Sequence, residues 1–288
     1  MQRPAVVSNL AELRQAVASA RAAGKRVGLV PTMGALHEGH LSLVRASQSE
    51  CSLTVVTIFV NPSQFGPGED YDRYPRTLDA DLDALGTCGG GILVFVPRTE
   101  EVYPPGFASW VEVGPVAEPW EGRCRPGHFR GVATIVLKLF NMVGADIAYF
   151  GQKDYQQALV IRRMVEDLNV PIEVRVCPTV REPDGLAMSS RNAYLSAEAR
   201  QQALVLWKSL CLADAMVCEG HRGAAAIRQR LRELIQSNAD MRIDYIALAD
   251  PETLKPVEQV SGRTLAALAV RLGSTRLIDN RFLEPPPS

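Results

Sequence analysis

Apolar positions along this chain change period repeatedly. Five short, nearly unbroken runs, RVGLVP (26–31), LTVVTIF (53–59), GILVFVP (91–97), DIAYFG (146–151) and IEVRVCP (172–178), are set apart by stretches where apolar residues recur every three or four positions. A short apolar run bounded by turn residues suits a strand buried on both faces, as in a parallel sheet covered by helices. Recurrence at three and four suits one face of a helix. Leu10, Leu13 and Val17 have that spacing, which predicts a helix over 9–23 with Ser8 or Asn9 as its cap and Gly24 as its stop. Further helices are expected over 40–49, 77–85, 132–143 and 155–168. Strands and helices in alternation define an α/β fold, a doubly wound parallel sheet of Rossmann-like type, whose ligand belongs at the carboxyl ends of the strands.

The rhythm changes after Thr179. A loop, VREPDGLAMSSRNAYLS, leads to two helices over 197–219 and 222–237, then to the strand-like RIDYIALAD, TLAALAVRLG and RLIDNRF. This pattern predicts a smaller α+β domain, so the expected division is 1–179 for the Rossmann-like domain and 180–288 for the second. The tail EPPPS has nothing to pack with and is expected to fray.

Composition narrows the function more than the fold. Of 288 residues 47% are hydrophobic and 22% charged, and the formal net charge is −1, with both signs interspersed. There is no basic footprint for a nucleic acid or a membrane surface. The six cysteines include no CxxC pair, which favours reduced thiols and a cytoplasmic setting. The start, MQRPAVVSNLAELRQ, lacks the apolar core of a secretory signal, and no apolar stretch is long enough for a membrane span.

Chemistry concentrates where the predicted strands end. VPTMGALHEGH puts a glycine turn and two histidines, His37 and His40, at a strand-to-helix junction. A helix start offers unpaired N–H groups and the positive end of the dipole, so this turn suits phosphate, and two imidazoles three residues apart can donate to charge developing at phosphorus. HEGH lacks the spacing of a zinc helix, and no third ligand is evident. Asn61 and Gln64, after the second long run, are amides that can orient a small polar substrate, although Asn-Pro is also turn chemistry. Asp79, Asp81 and Asp83 open the next helix, mostly as a solvated, dipole-favoured face, and one of them can touch magnesium. Arg123, Arg125, His128 and Arg130 precede an amphipathic helix and suit a carboxylate or polyphosphate, or simply a soluble surface. Lys153 and Asp154 sit at a strand mouth with Gln157 one turn further, and Leu186 to Asn192 form a hydroxyl- and arginine-bearing loop that can close over a triphosphate or merely cap a helix.

Taken together, PTMGALHEGH, NPSQFG, RPGHFRGV, FGQKDYQQ and DGLAMSSRN, in this order across nearly the whole chain, closely resemble the pantothenate synthetase (pantoate–β-alanine ligase) family. HEGH is similar to the HIGH signature of the nucleotidyltransferase superfamily, and Met188 to Arg191 to its KMSKS loop. The resemblance implies ATP-dependent ligation of pantoate and β-alanine through pantoyl adenylate, with AMP and pyrophosphate released. It places Met33, Gly34, Ala35, Leu36, His37, Glu38, Gly39 and His40 on ATP, with His40 as proton donor and His37 beside it. It likewise places Gly151, Gln152, Lys153, Asp154, Val180, Met188, Ser189, Ser190 and Arg191 on ATP, with Lys153 and Arg191 acting on the phosphates. Gln64 and Gln157 match amides that hold pantoate, Asn61 sits beside them, Arg125 and His128 match residues near the phosphate path, and Asp81 matches a magnesium contact. A homodimer using Mg²⁺ is the inherited expectation. Departures are Ala187 and Arg191 where KMSKS has lysines, and Gln152 where many relatives carry Glu. The rival from the same superfamily is another nucleotidylyltransferase that stops after nucleotidyl transfer.

Overall fold

The structure, a computed structural model, describes Gln2 through Pro286; the tail end expected to fray, Pro287 and Ser288, lies outside the described residues. The chain forms two compact units. One runs up to Gln152 and resumes over Gln156–Pro178; the other comprises Lys153–Tyr155 and the chain from Thr179.

The first unit is built on six strands: β1 (Ala5–Val7), β2 (Val27–Thr32), β3 (Leu53–Ile58), β4 (Ile92–Phe95), β5 (Ile147–Gly151) and β6 (Glu173–Cys177). They pair in the order β1-β4-β3-β2-β5-β6, every pair parallel. Each of the five runs singled out in the sequence is a strand, and the sheet is doubly wound as its pattern requires. β1 is the strand that periodicity does not show, because it is three residues long and mostly exposed at the sheet edge. The helices are α1 (Leu10–Ala22), α2 (Glu38–Glu50), α3 (Leu78–Gly86), α4 (Thr99–Val102), α5 (Glu121–Cys124), α6 (His128–Val143) and α7 (Tyr155–Asp167). Asn9 caps α1 by accepting the Glu12 N–H, while Gly24 beyond its end takes a φ of +70°.

Strand alternation divides the core into two faces. Val30, Val56, Val94, Ile147 and Tyr149 form one cluster with Leu41 and Val44 of α2 and Leu82 and Leu85 of α3. The alternate residues Leu29, Val55, Leu93 and Ala148 are also buried, as the opposite face demands. Strand order reverses at β2, with β3 and β4 to one side and β5 and β6 to the other. A crevice opens outside the carboxyl ends of the strands at such a switch point, because the connections leaving them diverge to opposite faces. The turn after β2 and the end of β5 flank that crevice.

The second unit has α8 (Ala197–Ala203), α9 (Val205–Cys218) and α10 (Ala224–Gln236) with an antiparallel sheet of β7 (Met241–Ala249), β8 (Thr264–Leu272) and β9 (Thr275–Leu283) in that order. The helix expected over 197–219 is interrupted at Leu204, which ends α8 and precedes α9. Leu210, Ile227, Leu231, Leu248 and Leu268 lie in its core.

Candidate active site

The turn Met33–Leu36 leaves β2 through two left-handed residues, Gly34 at φ +82° and Ala35 at φ +50°. Alanine enters that region at a cost, so something must hold it there. The holder is Asp81 of α3, only 2% exposed. One of its oxygens accepts the Ala35 N–H at 3.1 Å; the other accepts the Leu36 N–H at 2.8 Å and the Thr77 hydroxyl at 3.2 Å. A Cβ on Gly34 would stand 3.0 Å from the same carboxylate, so the turn passes it too closely for a larger residue. This corrects the expectation of a solvated acidic face. Asp79 and Asp83 do lie at the surface, both paired with Arg3, but Asp81 is an internal anchor. That geometry does not suit a magnesium ligand: both oxygens already face positively polarised hydrogens, and among the described residues no group of three or more His, Cys, Asp or Glu is placed to hold a metal.

Beyond the anchored turn, His37 is the N-cap of α2. Its Nδ1 accepts the Gly39 N–H at 3.1 Å, and the His40 Nδ1 accepts the His37 N–H at 3.3 Å, a capping box made of two imidazoles. A ring nitrogen that accepts an N–H carries no proton, so in its neutral form each ring holds its hydrogen on Nε2. The ring centroids are 4.1 Å apart, close enough that two imidazolium charges would repel strongly. With both Nδ1 atoms accepting, the arrangement turns the Nε2 of each ring into its donor position at a helix start.

Asn61 and Gln64 occupy the 3-10 turn after β3, and their side chains meet: Asn61 Nδ2 donates to Gln64 Oε1 at 3.0 Å. Gln64 in turn donates from Nε2 to the Met33 sulfur at 3.3 Å, which brings the amide to the β2 turn. Gly131 of α6 makes this possible, since a Cβ there would lie 2.2 Å from the Ser63 carbonyl oxygen. Arg125 and His128, expected near phosphate, are otherwise engaged. Arg125 forms a two-point ion pair with Glu69, both contacts at 2.7 Å, and donates to His128 Nε2 at 3.0 Å. His128 then donates from Nδ1 to the Gln64 carbonyl at 2.9 Å. Burial, and then the adjacent guanidinium, push His128 down to about 4. Burial works to raise the Glu69 carboxyl, but the hydrogen bonds and charge of Arg125 hold it below the usual range. These three residues form a brace for the turn that carries Gln64.

Of the adjacent glutamines on α7, Gln156 is structural: it accepts the Glu121 N–H and donates to the carbonyls of Val116 and Pro119. The side chain of Gln157, half-buried, has no hydrogen-bond partner among the described residues, which leaves its amide for a ligand. Gly151 closes β5 and Gln152 begins the following 3-10 turn.

In the second unit, Lys153 lies 3.6 Å from Asp154, and its carbonyl accepts from Asn280 Nδ2 at 2.9 Å. The segment from Val180 is a small hairpin in which Arg181 bridges Ala187 and the Met188 N–H reaches the Val180 carbonyl at 3.0 Å. Its stem is tied down by Arg181, which pairs with the buried Asp279 at 2.7 Å and stacks on Trp207 at 3.9 Å. Arg200 reinforces it through Glu182 and Asp184. Ser189 caps the short helix Ser190–Tyr194 by accepting the Arg191 N–H, so one serine serves the local backbone. Sequence reasoning passed over Asp81's burial, Glu69, Gly131 and Tyr103, the last of which donates to Asn61 at 2.8 Å. Gly131 lies within RPGHFRGV but the others carry no motif, and only partners distant in sequence give any of them meaning.

A parallel sheet with a left-handed turn and a histidine-capped helix at its switch point defines a nucleotide-binding enzyme of the doubly wound α/β class. Comparison with known proteins narrows this. A family model described as pantoate-beta-alanine ligase matches residues 5–282. Pantothenate synthetase of Moorella thermoacetica is 54% identical over 280 residues, 97% of this chain and 98% of its own. That of Roseiflexus sp. (strain RS-1) is 54% identical over 279 residues, 97% and 99%. Among solved structures, pantothenate synthetase from Thermus thermophilus superposes with a TM-score of 0.93 at 48% identity, covering 98% of this chain and all of that one (100%). Pantoate-beta-alanine ligase from Francisella tularensis, complexed with beta-gamma ATP and beta-alanine, gives 0.80 at 32% identity, covering 97% of each. The chain belongs to the pantoate–β-alanine ligase family.

Two expectations follow from the geometry. Asp81→Ala leaves the partly buried Ala35 and Leu36 N–H groups without their acceptor, and should lower unfolding stability by about 2 kcal/mol in urea titration; a loss within error would deny the anchor. His128 is bound as the neutral form, so the unfolded chain takes up more protons between its ordinary value of 6.5 and about 4. The stability this contributes is fully present above the unfolded value and is lost as pH falls through that window, amounting to about 2 kcal/mol between neutrality and pH of about 5. His128→Gln should flatten that part of the pH dependence.

Proposed function

We propose that this enzyme joins pantoate to β-alanine in two steps at the switch-point crevice, with ATP as the activating substrate. A pantoate carboxylate oxygen attacks the α-phosphorus, the bond to the bridging oxygen breaks, and pyrophosphate leaves. The amine nitrogen of β-alanine then attacks the acyl carbon of pantoyl adenylate, the C–O bond breaks, and AMP departs while the amine proton passes to solvent. A carboxylate alone is a poor acyl donor; the adenylate supplies its leaving group.

In this proposal the α2 N-terminus and the turn Met33–Leu36 face the phosphates, and the Nε2–H groups of His37 and His40 donate to phosphate oxygens as charge builds there. His40 as a full proton donor fits less well than a hydrogen-bond donor, because its Nδ1 is already committed to the His37 N–H. Gln64 and Gln157 hold pantoate, with Asn61 fixing the former. Lys153 neutralises phosphate and Asp154 reaches the ribose. Val180 lies on the adenine side, and Met188 to Arg191 close over the departing pyrophosphate, with Arg191 supplying the charge that Ala187 lacks. Magnesium enters with ATP, as part of the substrate, rather than on a protein-built site. Arg125 and His128 act by bracing Gln64. A cytoplasmic homodimer is the setting we propose; among the described residues no helix is long and apolar enough to cross a membrane.

The observation that carries this proposal is the pair of tautomer-fixed histidines on the first turn of α2. Its support is the Francisella relative described as binding beta-gamma ATP and beta-alanine. Radiolabelled pyrophosphate should exchange into ATP only when pantoate is present, and addition of β-alanine should yield AMP and pantothenate. Exchange indifferent to pantoate, or release of ADP, would sink the proposal. Lys153→Ala should slow single-turnover adenylation about a hundredfold, the scale of one preorganised charge contact.

A further inference from the structure

An amide side chain can present either its oxygen or its NH₂ group to a ligand, and the two ends are similar in shape. What decides is the hydrogen bonding behind it. For Gln64 that decision is traceable. Its Oε1 is taken by Asn61 Nδ2, which leaves Nε2 to face outward toward Met33. Asn61 is itself oriented: it is 1% exposed, and its Oδ1 accepts from the Tyr103 hydroxyl at 2.8 Å, the Ser63 hydroxyl at 2.9 Å and the Ser63 N–H at 3.3 Å. Its Nδ2 also donates to the Gly131 carbonyl at 3.3 Å. Turning the Asn61 amide over would set NH₂ against three donors and oxygen against two acceptors.

Tyr103 is the member of this chain that comes from elsewhere in the fold. It follows α4, and its ring is held between aromatic neighbours, with Phe59 at 6.3 Å, Phe107 at 5.0 Å and Trp110 stacked at 6.4 Å. Its hydroxyl also lies 2.8 Å from the Ser63 hydroxyl. Burial raises its phenol above the ordinary value, so it keeps its proton to donate at neutral pH. We propose that Tyr103 is a positioning residue for substrate polarity: through Asn61 it fixes Gln64 as a hydrogen-bond donor, so that this corner of the pocket selects an oxygen acceptor of the hydroxy acid and rejects a donor. The proposal rests on the assignment of Gln64 to pantoate.

The test is a double-mutant cycle between Tyr103→Phe and Gln64→Ala, read as KM for pantoate, KM for ATP, kcat and thermal midpoint. Tyr103→Phe removes one hydroxyl and keeps the ring. It should raise KM for pantoate about fivefold, the size of one neutral hydrogen bond, with KM for ATP and the thermal midpoint unchanged. On the Gln64→Ala background the same substitution should have no further effect, because the group it orients is gone. Ser63→Ala, which removes the other hydroxyl donor, should shift KM for pantoate the same way. An unchanged pantoate KM in Tyr103→Phe, or an equal rise with and without Gln64, would overturn the relay while leaving Gln64 on pantoate. If Gln64→Ala alone leaves pantoate KM unaltered, the assignment of Gln64 falls, and the relay with it.

Discussion

Everything at the switch point depends on one buried carboxylate. Asp81 reaches from α3 to the turn between β2 and α2 and accepts two consecutive backbone N–H groups, Ala35 and Leu36. Without an acceptor those groups would be orphaned and the left-handed Ala35 would have no reason to persist. With it, the chain leaves β2 in a fixed direction and α2 begins with His37 and His40 as its cap. The orientation of both imidazoles is thus inherited from an aspartate forty positions or more along the chain. A carboxylate serves here because it is an acceptor at both oxygens; an amide would turn one end of itself against an N–H.

A second support works beside the β2 turn in the same manner. Arg125, Glu69 and His128 are ionisable, yet Glu69 neutralises the guanidinium, and His128 stays neutral because burial disfavours its charge and, secondarily, protonating Nε2 would set it against Arg125. What the brace delivers is a position for the backbone of Gln64. Residue types that look like anion binders in the sequence are here spent on architecture. In the proposed reaction the chemistry is left to amides, imidazoles and the helix start.

The fold was largely legible because burial on two faces writes itself as unbroken apolar runs, and all five such runs became parallel strands. β1 escaped because three mostly exposed residues have no periodicity to read, and the break at Leu204 escaped because apolar spacing continues across it. For the site, the histidine turn and the amide pair stood out since glycine turns, strand ends and helix starts are local features. What stayed hidden was relational. Asp81 shares a pattern with Asp79 and Asp83 yet has the opposite fate, because it alone lies where α3 faces the sheet. Gln156 and Gln157 are indistinguishable as letters and are divided by one helical step of about 100 degrees.

Gly131 carries a consequence for how this pocket can change. Backbone of the Ser63–Gln64 turn rests directly on the bare face of α6 there, leaving no room for even a methyl group. The Gln64 amide, proposed above to hold pantoate, is therefore located by main chain against main chain, a contact that side-chain variation cannot loosen gradually. With Gln64 proposed to hold pantoate, enlarging this enzyme's acceptance of other hydroxy acids by stepwise substitution would have to leave that contact untouched. Under the proposed assignment of Gln64 to pantoate, the glycine is a fixed datum from which the size of the acid is measured.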